Sequence, residues 1–283
     1  MYQHHQLHRS RLVLLLQQWS PAPSDAAQPA QDLAEQMSPW LSTVDAVQLS
    51  RALHALESAG AAPGPRSGAV DVPALQARLD AARSELAALA SAGPASARPV
   101  RERADNTPVA PPDPELAADF AVYAARYIAV QKQVESRVAG LRAQMRQVLS
   151  AGPEALRRLA ALDAVMEHML GAREQRLWAS LTVHLERRMA QLRTAHGQRI
   201  AEAGRDDEPH RWAEPGGWLH SFEQDMRALQ ASELQARLQP LVGLLDAARH
   251  HARALNPPDR REPMRTSAKS AKTGTMTMTG TNE

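Results

Sequence analysis

The chain has 283 residues, with 33 basic and 31 acidic side chains, no cysteine, and aromatic residues at only 4%. The absence of cysteine excludes disulfides, thiolate metal sites and cysteine nucleophiles. A formal charge of +2 creates no large field for steering a polyanion, although arginine supplies all but three of the basic groups and the pI reaches 9.3.

Residues 1–8 are polar. His4, His5 and His8 have no nearby carboxylate and sit at a free chain end, so no metal is expected there. A short helix is expected over residues 9–19. Its aliphatic run, Leu12 to Leu16, falls well short of the ~20 residues a membrane helix needs. His8, Arg9 and Arg11 imitate a secretory signal, but Gln17 and Gln18 stand where a cleavage site should approach, so the expected compartment is the cytoplasm. Residues 30–57 carry two apolar faces: Leu33, Met37, Trp40 and Leu41, then Val44, Val47, Leu49, Leu53 and Leu56. Pro39 should bend the first helix, and Ser42 or Thr43 should cap the second. Asp45 reads as a helix-start carboxylate rather than a catalytic group. With Leu12 to Leu16 these segments predict a small N-terminal helical unit over 1–57.

Residues 58–113 read as a flexible linker interrupted by one helix at about 73–90, with Leu75, Leu79, Leu86 and Leu89 as its apolar positions. A long helix is then expected from Pro114 to Leu149. Its stripe of Leu116, Phe120, Tyr123, Tyr127, Val130, Val134, Val138, Leu141, Met145 and Val148 is close to heptad spacing. Ser150 to Gly152 permits a reversal into a second, antiparallel helix from Pro153 to about Ala203, about 75 Å long at 1.5 Å per residue. Its stripe runs Leu156, Leu159, Leu162, Met166, Met169, Leu177, Leu181, Leu185, Met189, Leu192 and Ile200. Gly171 interrupts it, read as close approach of a neighbouring backbone in preference to a hinge. Trp212 and Trp218 flank an irregular loop and should pin it to the bundle end. A third long helix runs from Trp218 to about Leu255, with Pro240 expected to kink it. Residues 256–283 lack apolar periodicity and read as a disordered tail. Strand alternation is missing throughout. The expected class is therefore all-α, with residues 114–255 forming a long antiparallel three-helix bundle of coiled-coil character.

Two blocks resemble a family of bacterial, proteobacterial-type proteins of unknown function. The first is Arg9 to Leu56, especially Leu33-Ala34-Glu35, Trp40-Leu41, Asp45-Ala46 and Leu49-Ser50-x-Ala52-Leu53. The second is Leu234-Gln235-x-Arg237-Leu238-Gln239-Pro240-Leu241 with Gly243-Leu244. The resemblance implies a helical cytoplasmic protein. It further implies encoding near membrane-complex components of the proton-channel and OmpA-like kinds. No active-site motif lies within it.

The residues themselves point away from chemistry. There is no glycine-rich phosphate loop, GxSxG elbow or HExxH. A di-iron bundle site needs Glu-x-x-His on two inward faces, whereas Glu167-His168 is adjacent and His220-x-x-Glu223 reversed. His168 and His184 read as structural residues flanking the rod's stripe. No catalytic residue, cofactor, metal or small-molecule substrate is expected. Arg157, Arg158, Arg173, Arg176, Arg187, Arg188, Arg193 and Arg199 alternate with Glu154, Asp163, Glu167, Glu174 and Glu186, which favours a solvated, internally paired face over a phosphate track. The expected role is a non-enzymatic helical scaffold or adaptor, self-associating or binding a protein partner. The candidate interaction surface is Phe120, Tyr123, Tyr127, Leu177, Leu181 and Leu185. The alternatives are a nucleic-acid-associated protein and, from the resemblance, a cytoplasmic accessory of a membrane-embedded envelope complex.

Overall fold

A computed structural model describes residues 10–20, 43–59, 68–91, 115 and 118–255. The expectations for His4, His5 and His8, for Leu33 to Leu41, for the tail, and for most of the linkers lie outside these residues. Among them the regular structure is entirely helical. Six α-helices occur: α1 Arg11–Trp19, α2 Thr43–Ala59, α3 Val72–Ser91, α4 Phe120–Ser150, α5 Glu154–Ala203 and α6 Trp218–Leu255, with a 3-10 turn at Pro209–Arg211. None of the described helices is long and apolar enough to cross a membrane.

The α4–α5 hairpin and the continuous 50-residue α5 follow the sequence closely. Pro153 supplies the fixed φ before the first turn, and Glu154 meets its partial positive charge. At the other end Gly204 sits at φ 58°, and the Gly204 and Arg205 amides bond the Ala201 and Ile200 carbonyls at 3.2 Å each. That is a Schellman ending, which needs a residue free of Cβ strain in the left-handed region.

The long helix expected from Pro114 begins later, at Phe120. Asp119 is extended (φ −74°, ψ 122°), and its carboxylate accepts a hydrogen bond from the Ala121 amide at 3.0 Å. The N-cap geometry stops the helix there, whatever the apolar period upstream suggests.

The bundle has a fourth wall. The helix expected inside a linker, α3, packs against both α4 and α6. Leu75, Leu79 and Leu86 are buried in one apolar cluster with Met145, Leu149, Leu241 and Leu245. The two described helices of the expected N-terminal unit also meet the long helices: α1 packs on α6 and α2 on α5.

The core is split lengthwise. The upper cluster just named lies towards the α4–α5 turn, and a lower one gathers Tyr127, Leu181, Leu185, Trp218, Phe222 and Leu229. Accordingly α5 buries Leu156 and Ala160 near its start and Leu181, Leu185 and Met189 further on, with no buried residue between. Leu162, Met166 and Met169 stay half-buried.

Gly171 lies in that middle span. A Cβ there would meet nothing within 4 Å, so the close approach expected from the sequence is absent, and α5 runs through unbroken. Gly171→Ala is therefore expected to stabilise the fold by about 1 kcal/mol, from helix propensity and lost unfolded-state entropy. A urea titration reads this as a higher midpoint at unchanged slope. Pro240 likewise sits inside a continuous α6. It deprives the Ala236 carbonyl of its helical donor, and the burial of Leu238 and Leu241 on either side offsets that loss.

Candidate functional site

Parallel packing of α4 and α6, both antiparallel to α5, sets Tyr127 opposite Glu233 at the level between the two apolar clusters. The Tyr127 hydroxyl donates to Glu233 Oε2 at 2.5 Å. Arg237, one turn along α6, donates its Nε to Glu233 Oε1 at 2.8 Å and places Nη2 2.7 Å from the same oxygen. The Arg237 guanidinium lies 4.6 Å from the Trp178 ring centre on α5. Gln131 Nε2 donates to the Trp178 carbonyl at 2.9 Å. Glu233 is only 3% exposed, a depth at which a carboxylate persists only if paired and hydrogen-bonded. Gln230 Oε1 is buried beside this group and has no hydrogen-bond partner among the described residues. The result is a polar belt joining three helices across the waist of the bundle.

Burial, reinforced by the Glu233 charge, pushes the Tyr127 phenol far above the usual tyrosine range. Burial and then Glu223, 3.5 Å from the hydroxyl, push Tyr123 up to about 12. Unfolding returns both to the ordinary value near 10. The folded state thus holds the phenolic protons more tightly, and their contribution to stability is complete below pH ~10 and lost as pH rises through the folded values. We expect alkaline unfolding to begin between pH 10 and 12, with the phenolate absorbance of Tyr123 and Tyr127 appearing together with loss of helical circular dichroism. Replacing both by phenylalanine should uncouple the two signals.

Other charged groups stitch the helices together. Arg142 donates Nε and Nη2 to the two Asp163 oxygens at 2.8 and 2.6 Å, and Arg146 reaches Glu167 at 2.5 Å. These bonds hold the half-buried middle of α5 to α4. Asp45, read as a helix-start carboxylate, bonds Arg173 at 2.6 Å and ties α2 to α5. At the lower end Asp207 accepts from Trp212 Nε1 at 2.8 Å and lies 2.9 Å from His196 Nε2. The His196 hydrogen bond, then that of Trp212, holds the Asp207 carboxyl below its usual range. Trp212 and Trp218 are buried with ring centres 5.5 Å apart, and they pin the loop to the bundle as the sequence predicts. Among the described residues no group of three or more His, Asp or Glu is placed to hold a metal.

The expected interaction surface needs correcting. Tyr123, Tyr127, Leu181 and Leu185 are buried, and Phe120 packs half-buried against the lower cluster. They are core, because α6 and α1 cover the seam that two long helices alone would leave open. Leu177 is 42% exposed. The inward residue at that level is Trp178, which the sequence reading passed over. With Leu181 as reference both positions fit a helical period, and the fold packs Trp178, not Leu177, against the lower cluster.

An open apolar surface exists elsewhere. Between α3 and α6 runs a groove of about 750 Å³, lined by Ala87 and Ala90 on one side and Ala228, Ala231, Leu234 and Leu238 on the other, with Ser91, Gln235 and Gln239 adding polar groups. From Arg227 to Val242, the α6 residues at its ends, it extends about 22 Å at 1.5 Å per residue. Small side chains make it shallow and wide. Arg83 and Arg227 also line it, and each places one nitrogen on a carboxylate of its own helix, Asp80 at 3.6 Å and Glu223 at 3.2 Å.

A family model described as a protein of unknown function (DUF3348) matches residues 1–250, a span that includes every residue of the belt and groove. No curated protein and no solved structure matches the chain.

Proposed function

From the premise that this chain belongs to the DUF3348 family, we propose that it is a non-enzymatic helical scaffold whose α3/α6 groove takes an amphipathic helix of a partner protein. The observation carrying this reading is the groove itself, an apolar channel about four helical turns long. Its alanine floor admits the larger side chains of an incoming helix, the usual geometry of helix-in-groove recognition. Arg83 and Arg227 complement an occupant with acidic residues flanking its apolar stripe. The polar belt supports the same reading: its carboxylate is held by Tyr127 and Arg237, which suits a rigid platform. Arginines also serve internal pairs, as at Arg142, Arg173, Arg188 and Arg237, which removes them from any phosphate-tracking row.

The test uses model amphipathic peptides with identical leucine stripes and either acidic or basic flanks, followed by fluorescence anisotropy. Tighter binding of the acidic peptide is expected, abolished by Ala231→Trp, which fills the groove. Reversing Arg83 and Arg227 to glutamate should reverse the preference. Equal binding of both peptides, or indifference to Ala231→Trp, would sink the reading.

A further inference from the structure

Where α3, α4 and α6 meet beside the polar belt they enclose a small cavity. Tyr127 and Gln131 stand four apart on α4, and Gln230 and Glu233 three apart on α6, so each pair shares one helix face. All four side chains line the cavity, and Ala90, the last residue but one of α3, lines its third side. Its volume of about 10 Å³ is close to the least that admits one water, and too small for any larger group. The polar groups around it are unevenly used. Glu233 accepts from Tyr127 and Arg237, and Gln131 Nε2 donates to the Trp178 carbonyl. Gln230 is 5% exposed, and its Oε1 is the acceptor left over. A carbonyl stranded at that depth loses its hydration with nothing in return, which outweighs the net gain from a typical hydrogen bond.

We propose that this cavity is a binding site for a single structural water, which donates to Gln230 Oε1 and joins it to the belt. Three observations define the occupant. The leftover group is an acceptor, so the occupant must donate. The Glu233 charge is already matched by Arg237, so an ammonium or metal ion would bury an uncompensated positive charge, whereas a neutral donor adds none. The volume limits that donor to one heavy atom. Water meets all three conditions, and the four polar side chains of the lining supply the two to four partners that a buried water keeps. Bound there, it extends the belt from Glu233 to Gln230 and ties the α4 and α6 faces together at the waist. Ala90 and Leu234 line both the cavity and the α3/α6 groove, so the water stiffens the groove's wall from behind. Gln230 itself does not line the groove.

Three measurements on the full chain test the site. A crystal structure should place a water oxygen about 2.7–3.2 Å from Gln230 Oε1. Oxygen-17 relaxation dispersion counts long-lived waters in solution, and Gln230→Met should lower that count by one against wild type. The same variant removes the acceptor at nearly constant volume, so the direction of its urea midpoint discriminates. If the carbonyl is bonded to water, the variant loses those bonds and its midpoint falls at unchanged slope. If the carbonyl is unpaired, the variant is relieved of a stranded group and its midpoint rises. A Gln230→Met chain that fails to fold leaves the decision to the wild-type crystal structure. A dry cavity there, an unchanged water count or a raised midpoint overturns the proposal. Ala231→Trp, which fills the groove, should change none of these readings, so the water site and helix docking fail separately.

Discussion

Arg237→Ala is expected to destabilise the protein by about 3–5 kcal/mol, because it strands a buried, ionised Glu233 in the waist of the bundle. The guanidinium supplies two contacts to that carboxylate and also covers the Trp178 ring. Urea unfolding monitored by circular dichroism measures the loss. Its size comes mainly from the orphaned charge and much less from the worth of the pair. A chain carrying Tyr127→Phe, Glu233→Leu and Arg237→Met together should therefore recover most of the stability, since a well-packed apolar replacement of a buried ion pair is often neutral or better. A triple variant as weak as Arg237→Ala would show that the belt contributes net stability, against this account.

Leu79→Ala is the second large effect, expected at about 2–5 kcal/mol. Leu79 is 1% exposed on α3, in the upper cluster with Leu241 and Leu245. The magnitude discriminates, because an exposed helix in a linker would lose only a few tenths of a kcal/mol from the same change. Leu89, only partly buried against the same cluster, should respond less. A Leu79→Ala chain unfolding at the wild-type urea midpoint would detach α3 from the core and remove one wall of the α3/α6 groove with it.

Several features were legible one residue at a time. The Pro153 start and Gly204 ending of α5, the short reversal before it, and the two tryptophans around the 204–217 loop each follow from chemistry within a few positions. The start of α4 was misplaced because Leu116 extends the apolar period upstream, while the Asp119 cap overrides it locally. The polar belt carries a faint signal: Glu233 and Arg237 stand four apart inside an apolar stretch of α6, the spacing of a helical ion pair. Nothing in that spacing marks the pair as buried, or names Tyr127 and Trp178 as its companions.

The assignment of Tyr123, Tyr127, Leu181 and Leu185 to an outer surface had a definite cause. Counting three long helices leaves apolar stripe to spare, and the spare was taken to face outward. In the fold α1 and α3 occupy the grooves, so these four residues are interior, and a mainly apolar groove opens between α3 and α6.

Amino-acid order alone settled the all-helical class, the length of α5 and the α4–α5 hairpin. These depend on backbone propensity, capping and periods of three to four residues, all of them short-range. Which short helix enters which groove, whether Leu177 or Trp178 turns inward, and where Glu233 finds its donors were decided by tertiary packing. Those choices compare free energies of contacts between residues far apart in the chain, and no local pattern records the outcome.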